Sequence, residues 1–114
     1  MHILICEDNL IVAMDLEMTL EDLGHVSAGI FSTAAGCRER CREQQPDLVL
    51  IDLDLADGAT GLNLVEDLAD HGIPSIIVSG QSRAIGTTRA KDILDKPLKV
   101  EHLRKALRKL PGKT

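Results

Sequence analysis

Short, wholly apolar runs alternate with segments of helical period along this chain of 114 residues, and that alternation is what most restricts its fold. Ile3-Leu4-Ile5-Cys6 is the first run, with no polar residue to face water on either side. Strands of this kind are buried on both faces of a parallel sheet. From Leu10 to Leu23 the apolar residues recur at helical spacing, and Gly24 stands where a helix would stop. His25 to Phe31 reads as a second strand, and Thr33 to Gln45 as a helix capped by Ser32 or Thr33. Pro46 ends it, and a third strand runs from Asp47 to Asp52. A loop follows, then a helix from Leu62 to His71 closed by Gly72. Ile73 to Val78 is the fourth strand, Ile93 to Asp95 the fifth, and Val100 to Leu110 the last helix. Strands alternating with helices predict an α/β fold, a doubly wound five-stranded parallel sheet with helices on both faces. The length suits one domain, residues 1–114.

Composition removes several functions. The net charge is −5, and Phe31 is the single aromatic residue, so neither a broadly basic nucleic-acid surface nor a base-stacking platform is expected. No apolar run approaches the ~20 residues that span a bilayer. No basic-then-apolar leader with a cleavage site opens the chain. Three cysteines, an odd number without secretory marks, fit reduced thiols in a cytoplasm.

In doubly wound sheets ligands bind beyond the carboxyl ends of the strands. The first strand ends in Glu7-Asp8, the third in Asp52 with Asp54 two residues on, the fourth in Ser79-Gly80 and the fifth in Lys96-Pro97. Two carboxylates about 4 Å apart repel by roughly 4 kcal/mol at an effective dielectric of 20. Glu7, Asp8 and Asp52 together therefore call for a proton or a cation, and hard oxygen ligands suit Mg²⁺. Lys96 could hold Asp52 before a phosphoryl transfer and a phosphoryl oxygen after it, with the Ser79 hydroxyl on another oxygen. A nucleophile, charge neutralisation and positioning are what that chemistry needs. The plainer reading of each residue alone is a solvated loop acid or a cap, with Asp8 capping the helix near Leu10. It weakens once all four strand ends are taken together.

These residues resemble the receiver domains of two-component response regulators, over essentially the whole chain. The resemblance rests on Glu7-Asp8, on Asp52 after Asp47-Leu48-Val49-Leu50-Ile51, on Ser79-Gly80 and on Lys96-Pro97. It implies a flavodoxin-like strand order 2-1-3-4-5. It implies that Asp52 accepts a phosphoryl group from a histidine kinase or histidine phosphotransfer protein. Glu7, Asp8, Asp52 and the backbone carbonyl of Asp54 would bind Mg²⁺, and Ser79 and Lys96 would contact the phosphoryl group.

Three features depart from the common receiver pattern. Only 17 positions separate Ser79 from Lys96, and the polar stretch from Gln81 to Thr88 contains Gly86. A short or irregular fourth helix is expected there. Ile93 stands where many receivers carry a switch Tyr or Phe. Leu55-Ala56-Asp57-Gly58 lacks the usual Pro. The chain is similar in these respects to an alphaproteobacterial subgroup named for a Phe-Ala-Thr-Gly stretch, whose fourth helix is reduced. Ile77-Val78-Ser79-Gly80 keeps only half of that name.

Other features read more plainly. Cys37 and Cys41 share a helix face but lack the partners of a zinc site, so they are expected as small residues beside the core or at the surface. Asp52-Leu53-Asp54 resembles the nucleophile motif of haloacid-dehalogenase-type phosphatases, yet it follows the third strand and no cap domain is present. The basic last helix, with Arg104, Lys105, Arg108 and Lys109, reads as a solvated face. Most apolar residues of Leu10 to Leu23 are expected in the core, with some of Leu10, Ile11, Met14 and Met18 left to meet a helical phosphodonor. The expectation is a cytoplasmic single-domain response regulator, a switch that assists its own phosphorylation and dephosphorylation rather than an enzyme. Its partners would be the phosphodonor and a downstream output protein, without direct nucleic-acid contact or membrane insertion. The alternative is a phosphorylation-independent protein-interaction module on the same fold.

Overall fold

A computed structural model describes residues 1–80 and 85–110. The elements run β1 (His2–Cys6), α1 (Leu10–Asp22), β2 (Val26–Phe31), α2 (Ala34–Glu43), β3 (Leu48–Asp52), α3 (Gly61–Asp70), β4 (Ser75–Ser79), β5 (Asp92–Asp95) and α4 (Val100–Arg108). All five strands are parallel, in the order β2-β1-β3-β4-β5. The predicted doubly wound α/β architecture and strand order are therefore present.

The period-2 alternation of the central strands sorts their side chains into two cores. Leu4, Cys6, Val49, Ile51 and Ile77 face α2 and α3, where they meet Ala34, Cys37, Leu64, Val65 and Leu68. Ile3, Ile5, Leu48, Leu50, Ile76 and Val78 face α1 and α4, where they meet Ala13, Leu20, Leu103 and Ala106. Cys37 and Cys41 are buried free thiols in the α2–α3 core, beside the sheet rather than at the surface. Gly24 and Gly72 follow α1 and α3 with positive φ, as their position after helices predicts.

Several expectations shift. The cap of α1 is Asn9, whose Oδ1 accepts from Val12 N–H at 3.2 Å. Asp8 is exposed and carries no cap. Thr33, one of two residues proposed for α2, does cap it, its Oγ1 accepting from Gly36 N–H at 2.9 Å. β4 begins at Ser75 rather than Ile73, since Pro74 has no N–H to give the ladder. The larger correction concerns α1. Leu10, Ile11, Val12, Met14 and Met18 are exposed, Ile11 by 81%, and only Ala13 and Leu20 are buried. The stripe packed on the sheet is buried Ala13 and Leu20 with half-buried Leu16 and Leu23, one face of the helix, and the sheet has no second surface for the rest.

Between β4 and β5, residues 85–91 form no helix, and Gln81 to Ala84 of the expected short fourth helix lie outside the described residues. Ile85 and Ala90 pack on the α2–α3 core. Arg89 ties this segment to α3 through Glu66 Oε1 at 2.9 Å, Asp70 Oδ1 at 2.6 Å and the Glu66 carbonyl at 2.9 Å.

Candidate functional site

Register brings the strand ends together. Cys6 pairs with Ile51, so Glu7 leaves the sheet beside Asp52. Asp52 pairs with Val78, and Ser79 with Asp95, which places Lys96 next along the same edge. β1 lies between β2 and β3, the point where strand order reverses and a crevice opens.

At that crevice Glu7, Asp8 and Asp52 each offer a carboxylate oxygen within 4.8 Å of the others. Glu7 and Asp52 are buried and Asp8 is exposed. The Lys96 ammonium reaches Glu7 Oε1 at 3.1 Å and Asp52 Oδ2 at 3.2 Å. Burial pushes the Glu7 carboxyl up to about 7, and the neighbouring Asp52 pushes the same way against the pull of Lys96 and Asn9 N–H. Burial works against the Lys96 charge, but Glu7 and Asp52 outweigh it and raise its pKa. One ammonium, paired with Glu7 and Asp52, thus stands against a cluster of three acids. The remaining negative charge draws either a proton onto Glu7 or a cation into the cluster, and this hard, all-oxygen donor set fits Mg²⁺.

Backbone donors orient the acids. Asn9 N–H bonds Glu7 Oε2 at 3.2 Å, and Asp54 N–H bonds Asp52 Oδ1 at 3.3 Å. Ser79 is buried at the end of β4, and its carbonyl accepts from Lys96 N–H at 3.0 Å. The Lys96–Pro97 peptide is cis. The Asp54 side chain is exposed, two residues beyond Asp52. The structure therefore gathers Glu7, Asp8, Asp52 and Lys96 in one cluster, with Ser79 on the adjoining strand end and Asp54 in the loop that follows. A cleft of about 480 Å³ opens beside them, walled by Ile11, Val12 and Leu16 of α1 and by Pro97, Leu98 and Val100.

Gly61 lets α3 start close to the site. A Cβ there would lie 2.6 Å from Leu53 Cα and 2.8 Å from the Asp52 carbonyl oxygen. Sequence reasoning missed Asp57, which accepts from Ala34 and Ala35 N–H at the amino end of α2 at 3.1 and 3.3 Å. Asp57-Gly58 signals only a turn, and nothing local points to a partner 23 residues away.

The family description "Response regulator receiver domain" matches residues 3–108. The chain belongs to this family. Among its relatives is the phyllosphere-induced regulator PhyR of Methylorubrum extorquens, 45% identical over 68 residues, which are 59% of this chain and 26% of that protein. The receiver domain of Erythrobacter litoralis PhyR superposes with a TM-score of 0.83 at 29% identity, covering 99% of this chain and 94% of the other. SdrG of Sphingomonas melonis superposes with a TM-score of 0.80 at 31% identity, covering 94% and 92%. The chain spans less than half the length of the curated relatives it matches. α4 of this receiver domain is the family's fifth helix by position, because it follows β5.

Proposed function

We propose that this receiver domain takes a phosphoryl group onto Asp52 from the phosphohistidine of a histidine kinase or phosphotransfer protein, with Mg²⁺ held by Glu7, Asp8, Asp52 and the Asp54 carbonyl. The observation that carries this reading is the gathering of three carboxylates at the sheet's switch point, two of them, Glu7 and Asp52, paired with the Lys96 ammonium. An Asp52 carboxylate oxygen attacks phosphorus, the bond from phosphorus to the donor imidazole breaks, and the imidazole leaves with the electron pair and takes up a proton. Mg²⁺, when bound, offsets the negative charge shared by the acids and the incoming phosphoryl oxygens. Lys96 transfers its contact from Asp52 to a phosphoryl oxygen, and Ser79 donates its hydroxyl to another.

Attack by water on the phosphorus of the acyl phosphate breaks its bond to the Asp52 oxygen, releases inorganic phosphate and restores the free carboxylate. The domain is thus a switch that assists its own phosphorylation and dephosphorylation, and not an enzyme for other substrates. The exposed apolar face of α1, with Leu10, Ile11, Met14 and Met18, borders the site and suits a helical phosphodonor. Phosphorylation shifts a pre-existing equilibrium and so changes how a downstream output protein binds. We assign this receiver domain to the cytoplasm.

The test is intact mass after incubation with acetyl phosphate and Mg²⁺. One added phosphoryl group, absent in Asp52→Asn and without metal, supports the reading. Absence of both this adduct and a beryllofluoride complex overturns it. That outcome favours a phosphorylation-independent interaction module, the reading that Ile93 supports. Ile93 packs on the α2–α3 core and has no hydroxyl for the hydrogen bond of a switch tyrosine.

A further inference from the structure

After Asp52 the chain leaves the sheet and crosses residues 53–60 before α3 begins. Leu55 is the one buried side chain of this loop. Leu55 and Gly58 exchange both backbone hydrogen bonds, at 3.1 and 3.0 Å, which fixes the shape of the tip. Those bonds do not fix where the tip sits over the sheet edge. Its placement comes from the junction between β2 and α2. Ala56 N–H donates to the Ser32 carbonyl at 2.8 Å. The Asp57 carboxylate takes Ala34 N–H on Oδ1 and Ala35 N–H on Oδ2, and Thr60 Oγ1 donates to Oδ1 at 3.0 Å.

The first amides of a helix have no partner within it and favour a negative charge. Thr33 takes only that of Gly36, and Asp57 takes two others from across the fold. The Ala34 amide foremost, with Thr60 and Ala35, holds the Asp57 carboxyl below the usual range, so it is ionised at neutral pH. The same junction also holds the other acidic segment, because Glu7 N–H donates to the Phe31 carbonyl at 2.9 Å. Phe31, Ser32, Ala34 and Ala35 therefore brace both chain segments that carry the acids. Asp54 lies between two anchors, Gly61 N–H on the Leu53 carbonyl at 3.2 Å and the Ala56–Asp57 contact with the junction.

We infer that Asp57 is a positioning residue: bonded to the amino end of α2, it holds the 53–60 loop so that the Asp54 carbonyl stays aligned with Asp52 and Glu7 for the cation. The inference rests on the proposed function, since it concerns the geometry of the same cation site. A helix cap alone would affect the stability of α2 and nothing else.

The experiment titrates Mg²⁺ into the full chain and follows backbone amide shifts by NMR, for wild type, Asp57→Ala, Asp57→Asn and Thr33→Ala. Thermal melts confirm that each variant is folded. Removing a group that orients a metal ligand typically costs ~10–100-fold in metal affinity, and the low end, about tenfold, is expected for Asp57→Ala. Asp57→Asn keeps one acceptor oxygen and should recover part of the loss. Thr33→Ala, which removes the helix's own cap, should lower Tm yet leave Mg²⁺ affinity unchanged. An Asp57→Ala affinity equal to wild type overturns the inference, as does a Thr33→Ala loss equal to that of Asp57→Ala. If wild type itself binds no Mg²⁺, the proposed function falls and the inference falls with it.

Discussion

Replacing Glu7 by Gln should stabilise the metal-free domain at pH 8 while removing its response to Mg²⁺. Gln has the shape of a protonated glutamic acid, the form that burial favours at this position. The Glu7 carboxyl moves from its ordinary value of 4.5 to about 7 in the fold. A carboxyl raised in this way contributes stability that is fully present below pH 4.5 and is lost as pH rises through about 7. At 1.36 kcal/mol per pH unit the full shift corresponds to about 3 kcal/mol as an upper bound. Relaxation around the ionised acid reduces it, and about 1–3 kcal/mol is expected. For a domain near 100 residues, 1 kcal/mol moves Tm by about 4–8 °C. Thermal melts followed by circular dichroism, in chelator at pH 5 and pH 8, read the difference between variant and wild type. The two should melt closer together at pH 5, where unfolded Glu7 is already mostly ionised and part of the contribution is gone, and the Gln variant should melt at least about 4 °C higher at pH 8. Excess Mg²⁺ at pH 8 should raise the wild-type Tm by binding the folded state and leave the variant nearly unmoved. A gap that does not grow between the two pH values, or a variant less stable than wild type at pH 8 in chelator, refutes the reasoning. Lys96 still has Asp52 at 3.2 Å in the variant, so its charge is not stranded.

Two further predictions follow from the same geometry. Gly61→Ala forces a methyl group against Leu53 Cα and the Asp52 carbonyl, neither of them the yielding end of a side chain. It should cost about 1–3 kcal/mol in urea unfolding and slow phosphorylation of Asp52, and wild-type stability would show that α3 shifts freely. Arg89→Ala removes exposed ion pairs to Glu66 and Asp70, each worth about 1 kcal/mol or less, so global stability should change little. Hydrogen exchange should nevertheless speed up locally at the Arg89 amide, which now bonds Glu66 Oε2, and unchanged exchange there would argue against the tie to α3.

How far each residue's role was legible depended on the range of the interaction behind it. The apolar runs Ile3 to Cys6 and Leu48 to Ile51 declared strands buried on both faces, because no polar residue interrupts them. Glu7, Asp8, Asp52 and Lys96 were legible because each directly ends or follows a strand, and parallel strands put those ends on one edge. The helix caps were half legible. Ser32-Thr33 narrowed the cap of α2 to two adjacent residues. Asp8 was the cap considered for α1, and the structure moves that role one residue on to Asn9, a shift of phase that the local pattern does not decide. The exposure of α1 was misread because apolar periodicity marks a face without saying whether another layer covers it.

The order of apolar and polar residues alone determined that this chain forms an α/β sheet with acids and a lysine on one edge. That information is local and periodic, a matter of which side chains can face water at each step. Tertiary structure decided the rest. Register between β1 and β3 sets Glu7 against Asp52, and burial at that place, absent from any sequence pattern, shifts the Glu7 carboxyl towards neutrality. The bonds from Asp57 to α2 and from Arg89 to α3 join residues 19 to 23 positions apart. Such bonds exist only after the chain has packed, since packing brings an exposed carboxylate to unpaired amides or a guanidinium to two acids.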